Sequence, residues 1–222
     1  MNLASYFKNH RLLDQALTHR SYLNEHKHIQ SSNERLEFLG DAVLELVITQ
    51  YLYDHFPDKP EGDLTALRSS LVKTSTLGQV ATSLGVGESL KMSKGEADGG
   101  GRTNLSLLAN TLEAIIGALY LDQGLPQVSR FISDHILPLL PDIIAHRLYQ
   151  DSKSSLQETV QARGLPAPHY RVISATGPDH KRQFTVTVSL NHQILGQGTG
   201  STKQAAETSA ARAALEKLSQ TK

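Results

Sequence analysis

Apolar residues recur at helical spacing along residues 34–55: Leu36, Leu39, Val43, Leu44, Leu46, Val47 and Ile48, with Tyr51 and Tyr53 closing the run. Start signals precede it. Ser31 and Glu34 have the S-x-x-E spacing of a capping box, and Asn33 is a favoured N-cap residue. Pro57, Pro60 and Gly62 end it. Shorter helical patterns cover residues 14–20, 64–72 and a stretch from Ser75 or Thr76 to residue 84. A second strongly apolar helix is predicted over 105–121, and one or two more over 126–149, broken at Pro138 and Pro141. Residues 24–33 read as a polar loop. Residues 91–103 are glycine-rich and polar, have no G-x-x-x-x-G-K spacing, and read as a mobile segment or linker.

From residue 150 the period changes. A polar stretch, 150–155, reads as a linker. A short helix over 155–163 follows, then three strands by alternation and β-branching, over 169–174, 184–190 and 194–198. An alanine-rich helix over 203–218 closes the chain. The expected fold is thus an all-α domain over 1–149 joined through 150–155 to a small α+β module, ordered α-β-β-β-α, over 156–222.

The first long helix carries an anomaly. Glu34, Glu37, Asp41 and Glu45 follow at spacings of 3, 4 and 4, on one face. Like charges so placed cost ~0.2–0.5 kcal/mol per pair, and Gly40 inside the helix costs ~1 kcal/mol relative to alanine. Penalties concentrated in one place point to function. Two readings stand: a solvated acidic face with cations such as Arg35 nearby, or a site for a hard cation, which takes oxygen ligands. Asp41, between Phe38-Leu39-Gly40 and Ala42-Val43-Leu44, is expected near the apolar side, where an unpaired carboxylate is costly. That favours the site. In the second apolar helix Asn110 and Glu113 share a face, and Gly117 permits close packing. If the two helices cross near their glycines, Glu37 and Asp41 meet Asn110 and Glu113, as metal-binding side chains of facing helices do in bundles. His26 and His28 read as part of a solvated loop rather than as ligands.

Composition narrows the setting. The 222 residues hold 22 Lys and Arg against 22 Asp and Glu. Residues 1–150 hold 13 against 17, net −4, and residues 151–222 hold 9 against 5, net +4, as for a basic module tied to an acidic one. There is no cysteine, so disulfides and thiolate metal sites are excluded. Lys8, His10, Arg11 and Asp14 break any signal-peptide pattern, and no run of about 18 apolar residues exists. The expectation is a cytoplasmic protein with no membrane partner.

Asn33-Glu34-Arg35-Leu36-Glu37-Phe38-Leu39-Gly40-Asp41 closely resembles the signature of the ribonuclease III family. The stretches Leu17-Thr18-His19-Arg20-Ser21-Tyr22, Glu61-Gly62-Asp63 and Leu108 to Gly117 fall in the order of that family's catalytic domain. The resemblance implies Mg²⁺, with Mn²⁺ able to substitute, held by Glu37, Asp41, Asn110 and Glu113, of which Asp41 and Glu113 matter most for activity. It further implies a supporting role for Glu34, a place near the RNA for Glu61, and a homodimer contact at Phe38. Where the family often has Asp, this chain has Asn110, which can still ligate through its amide oxygen but brings no charge. The C-terminal module, with Gly-Pro-Asp-His ending at His180 and Gly-Thr-Gly-Ser-Thr-Lys ending at Lys203, resembles a double-stranded RNA-binding domain. Such modules read A-form shape through 2′-hydroxyls and phosphates. By that resemblance Gln157 and Glu158 face one minor groove, His180 the next, and Lys203 the phosphates between. The function implied is double-strand-specific endoribonuclease activity that leaves 5′-phosphate and 3′-hydroxyl ends on ribosomal and messenger RNA precursors. The rivals are a non-catalytic RNA-binding dimer, favoured only by Asn110, and a metal-independent scaffold, which leaves the acidic stripe unexplained.

Overall fold

The computed structural model describes residues 3–145, 152–178, 182–191 and 193–220. They fall into two compact units, residues 1–149 and 150–222. The first is helical: α1 (His10–Ala16), α2 (Tyr22–Glu25), α3 (Glu34–His55), α4 (Glu61–Val72), α5 (Thr74–Ser83), α6 (Val86–Ser89), α7 (Lys94–Asp98), α8 (Leu105–Gln123), α9 (Leu125–His135) and α10 (Leu140–Ala145). Short 3-10 turns lie at Leu3–Tyr6, Gly101–Thr103 and Leu137–Leu139.

The core forms around α8, which runs against α3, α5 and α1. Leu108, Leu112, Ile115, Ile116 and Leu119 of α8 meet Leu36, Leu44, Ile48 and Leu52 of α3 in one cluster. By length and composition α8 could cross a membrane, at mean hydropathy 1.3. Its apolar residues instead fill this core, because a helix apolar nearly all round has to be surrounded by other elements. The α3–α8 contact depends on two glycines. A Cβ on Gly40 would lie 1.7 Å from the carbonyl oxygen of Glu113, and one on Gly117 would lie 2.2 Å from that of Leu36. Only hydrogen fits at either place, so the backbones touch.

Several expectations are corrected. The first helix starts at His10 rather than residue 14, because the Asn9 side chain accepts the Arg11 N–H at 3.1 Å and caps it. It stops at Ala16, after which Leu17 and His19 pair with Lys91 in an isolated parallel bridge. The capping box at Ser31 does not form. Asn33 is buried and its amide is spent on the Ala16 carbonyl at 3.2 Å, while the Glu34 N–H turns to Ser32 Oγ at 3.4 Å. The α4 helix begins at Glu61, directly after Pro60, so Gly62 and Asp63 lie inside it. The glycine-rich stretch 91–103 is folded. Ser93 Oγ caps α7 by accepting the Glu96 N–H, and Arg102 donates to the carbonyls of Gly87 at 2.8 Å and Leu90 at 3.1 Å. Those bonds turn a segment of low propensity into a fixed flap.

The second unit runs α11 (Ser152–Ala162), β1 (His169–Thr176), β2 (Gln183–Leu190), β3 (Gln193–Gly200) and α12 (Lys203–Gln220). The sheet is antiparallel in the order β1-β2-β3. The expected linker over 150–155 is corrected: Ser152 to Ser155 are helical, held by a buried Ser152 and a 2.6 Å ion pair from Lys153 to Glu207. Strands β1 and β3 each run two residues past their predicted ends, because the ladder continues through Thr176–Gln183 and Phe184–Gly200. Alternate glycines of β3 face α12. A Cβ on Gly196, Gly198 or Gly200 would come within 2.2–2.5 Å of α12 backbone. Ala206, Ala210, Ala211 and Ala214 supply the facing surface, with Leu156, Val160, Val186 and Val188 completing this small core.

Candidate active site

The glycine crossing fixes what lies beside it. On α3 the buried stripe passes through Leu36, Gly40, Val43 and Leu44, so Glu37 and Asp41 flank it on one side. On α8 Asn110 and Glu113 sit in the turns next to the point where Gly40 touches the Glu113 carbonyl. The four side chains line one pocket of about 530 Å³. Its rim carries His19, Arg20 and Glu34, and Phe38 stands at its edge.

The acids differ in setting. Asp41 is exposed, against the expectation that it would lie near the apolar side, because Gly40 takes the inward position. Glu113 is the deep one. Burial first, then the charges of Asp41 and Glu37, push its carboxyl up to about 7. Burial, then Glu34 and Asp41, also raise Glu37, while a hydrogen bond from the Asn110 amide works the other way. Among the described residues no ion pair reaches Glu37, Asp41 or Glu113; the nearby Arg20 lies 3.7 Å from Glu34 instead. Glu34 also accepts the Ser32 hydroxyl at 2.9 Å. No group of three His, Asp or Glu side chains among the described residues is drawn tight enough to hold an ion as it stands.

This donor set fits a hard divalent cation. It consists of three carboxylates and one amide, all offering oxygen, with a deep acid whose ionisation, opposed by burial and by its two acidic neighbours, a positive charge would favour. A divalent cation held by Glu37, Asp41, Asn110 and Glu113 would offset the repulsion among the carboxylates.

Glu61 is exposed in the first turn of α4 and accepts the Thr65 hydroxyl at 2.9 Å. Phe38 is 82% exposed. In the second unit Gln157 and Glu158 are exposed neighbours on α11, and Lys203 is exposed in the first turn of α12, whose start Thr202 caps through the Ala205 N–H at 3.1 Å. His180 lies outside the described residues. Sequence reasoning assigned no part to His19, Asn33 or Thr111, all of which line the pocket. The spacing of acids could not point to His19, which lies outside both acidic helices and is held by backbone pairing with the distant Lys91.

Comparison with known proteins agrees with this division. The family described as Ribonuclease-III-like matches residues 9–140, and the Double-stranded RNA binding motif matches residues 152–218. Ribonuclease 3 of Geobacillus sp. (strain WCH70) is 48% identical over 214 residues, covering 96% of this chain and 87% of that protein. Ribonuclease 3 of Anoxybacillus flavithermus is 46% identical over 217 residues, covering 97% and 90%. The solved nuclease domain of ribonuclease III from Campylobacter jejuni is similar at a TM-score of 0.58 and 40% identity, over 63% of this chain and 96% of that one. With acids gathered at a helix crossing in the first unit and a duplex-binding module in the second, the chain belongs to the ribonuclease III family of double-strand-specific endoribonucleases.

Proposed function

We propose that this chain cuts duplex RNA at the α3–α8 pocket, with Asp41 and Glu113 the principal active-site acids and Glu37 and Asn110 completing the ligand set for Mg²⁺. The observation that carries the reading is the convergence of three carboxylates without a cationic partner among the described residues, one of them raised to about 7. Glu37, Asp41, Asn110 and Glu113 would hold a divalent cation there, which would supply a nucleophile at neutral pH and charge stabilisation for the leaving 3′ oxygen, consistent with 5′-phosphate and 3′-hydroxyl ends. The chain's own contribution is placement. Gly40 and Gly117 set the distance between the acids, and the Asn110 amide orients Glu37. Glu34 restrains Arg20 at the rim. Glu61, exposed at the start of α4, is assigned a place near the RNA by the same reading.

In the second unit Lys203 offers charge and helix-terminal N–H groups to a phosphate, and Gln157 and Glu158, with His180, face the minor grooves. Lys203 is followed by Gln204 and Ala205 rather than further cations, so affinity is modest and salt-sensitive. The protein acts as a homodimer in the cytoplasm on ribosomal and messenger RNA precursors. Phe38, Leu46 and Tyr53, 82%, 54% and 73% exposed, form an apolar stripe at helical spacing on α3 that a second copy would cover. The related nuclease domain from Campylobacter jejuni is itself described as flexible in a region involved in dimer formation.

Cleavage of a long perfect RNA duplex in Mg²⁺, with Glu113→Gln and Asn110→Asp beside the wild type, tests the site. Discrete cutting lost in Glu113→Gln supports it, as does better cutting by Asn110→Asp at low Mg²⁺. Duplex binding without cutting, in Mg²⁺ or Mn²⁺, overturns it.

A further inference from the structure

His19 is half-buried on the rim of the acid pocket, and its backbone is pinned by the N–H it donates to the Lys91 carbonyl at 2.9 Å. Its ring is pinned as well. The Ser21 backbone N–H lies 3.3 Å from Nδ1, and the Ser21 hydroxyl lies 2.8 Å from the same atom. A backbone N–H can only donate, so Nδ1 accepts and the proton of the neutral ring sits on Nε2. The hydroxyl is oriented in turn. Ser21 Oγ accepts the Ser93 N–H at 3.0 Å, which leaves its own proton for Nδ1. Ser93 also caps α7, so the folded flap fixes the tautomer of a ring at the pocket mouth. Burial, the largest influence on the ring, keeps it neutral against the pull of Glu96 and Glu34. Nε2 has no protein hydrogen bond among the described residues.

We infer that His19 is an RNA-contact residue, whose Nε2–H donates to a non-bridging oxygen of a substrate phosphate at the mouth of the α3–α8 pocket. The inference rests on the active-site reading above. A neutral donor suits this position. It contributes a directed bond to an anionic oxygen without adding positive charge that would repel a cation bound among the acids. Arg20, the adjacent cation, is engaged by Glu34. Ser21, which holds the ring through its hydroxyl and its backbone N–H, is a positioning residue.

Two side chains separate this role from a structural one. The Gln amide places an N–H₂ near the Nε2 position, whereas the Asn amide reaches only the Nδ1 position. In single-turnover cleavage at saturating duplex RNA, His19→Asn is expected to lose roughly ten- to hundredfold, as for a lost bond to a charged group, while His19→Gln keeps most of the rate. A methylphosphonate placed singly at linkages around the scissile bond removes the acceptor. One position is expected to slow the wild type and to cost His19→Asn nothing further. Equal losses in Asn and Gln, no loss in Asn, or additive losses at every linkage would overturn the contact. Nitrogen-15 NMR of the wild-type histidines gives a reading independent of any variant: the Nε2–H tautomer is expected for His19, and Nδ1–H overturns the geometry. A wild type that binds duplex RNA without cutting overturns the active-site reading and this contact with it; one that cuts while the variants behave alike overturns the contact alone.

Discussion

Two of the places where this chain brings backbones together over glycine differ in outcome, and of that pair one makes a site. Where α3 crosses α8, Gly40 and Gly117 let the helices touch, and the positions beside the contact are Glu37, Asp41, Asn110 and Glu113. Where β3 meets α12, Gly196, Gly198 and Gly200 let the helix lie on the strand, and the positions beside that contact are Ala206, Ala210 and Ala214. The second crossing is dry and apolar, and its product is a rigid platform for an exposed Lys203. The first leaves Glu37 and Glu113 half-immersed with no ion pair among the described residues, and burial together with the neighbouring acids raises both carboxyls. Close approach alone creates no chemistry. The residues flanking it decide whether it makes a site or a platform.

The comparison breaks most sharply at Glu113. Glu113→Gln is expected to lower duplex cleavage on the order of a hundredfold or more while duplex binding, measured by filter retention, stays near wild type. Next come the glycines. Gly40→Ala and Gly198→Ala each force a Cβ against backbone, at a cost of about 1–3 kcal/mol or more. Calorimetry should show the first lowering the melting of the helical unit and abolishing cleavage. The second should lower the melting of the α+β unit and weaken RNA binding, with the helical transition unchanged. A single shared shift in both variants would contradict the two-unit division.

A smaller effect concerns pH. The folded carboxyl of Glu113 titrates near 7 and its unfolded form near the ordinary 4.5, so between those values the folded state binds more protons than the unfolded one. Stability of the metal-free protein should therefore fall as pH rises from about 4.5 to about 7, and level off above. Melting temperatures across that range, with Glu113→Gln flattening most of the slope, check the sign. Added Mg²⁺ should stabilise more at pH 8 than at pH 6, since ligands must be deprotonated. The smallest effect belongs to the platform. Lys203→Ala should weaken duplex binding evenly across sequences and reduce the slope of log affinity against log salt by about 1.

Much of this was legible in the sequence for a physical reason. The bounds of α3, residues 34–55, follow from apolar spacing and from Pro57 and Pro60. A glycine among like charges in a helix is costly enough to mark a close contact beside an acidic site. The order α-β-β-β-α follows from β-branched alternation. What escaped the sequence depended on distant partners. Residues 91–103 look like a loop until Arg102 reaches the carbonyls of Gly87 and Leu90. Asn33 looks like a cap until its amide is found on Ala16. Asp41 looks inward from its apolar neighbours, yet Gly40 occupies the inward position. No local pattern carries such information, since each depends on which segment arrives opposite.

The contact between Gly40 and the Glu113 carbonyl also works as a phase lock. Successive residues of an α-helix are turned by about 100°, so inserting or deleting one residue between Asn110 and Glu113 would swing Asn110 and Leu108 away from their places by that angle if the later half of α8 stayed in position. If the earlier half stayed instead, Gly117 would leave Leu36 and a bulkier side chain would meet the carbonyl. Neither half can absorb the change alone. Length variation compatible with this architecture is thereby confined to the connections outside α3 and α8, and the interior of the two helices can drift only by substitution.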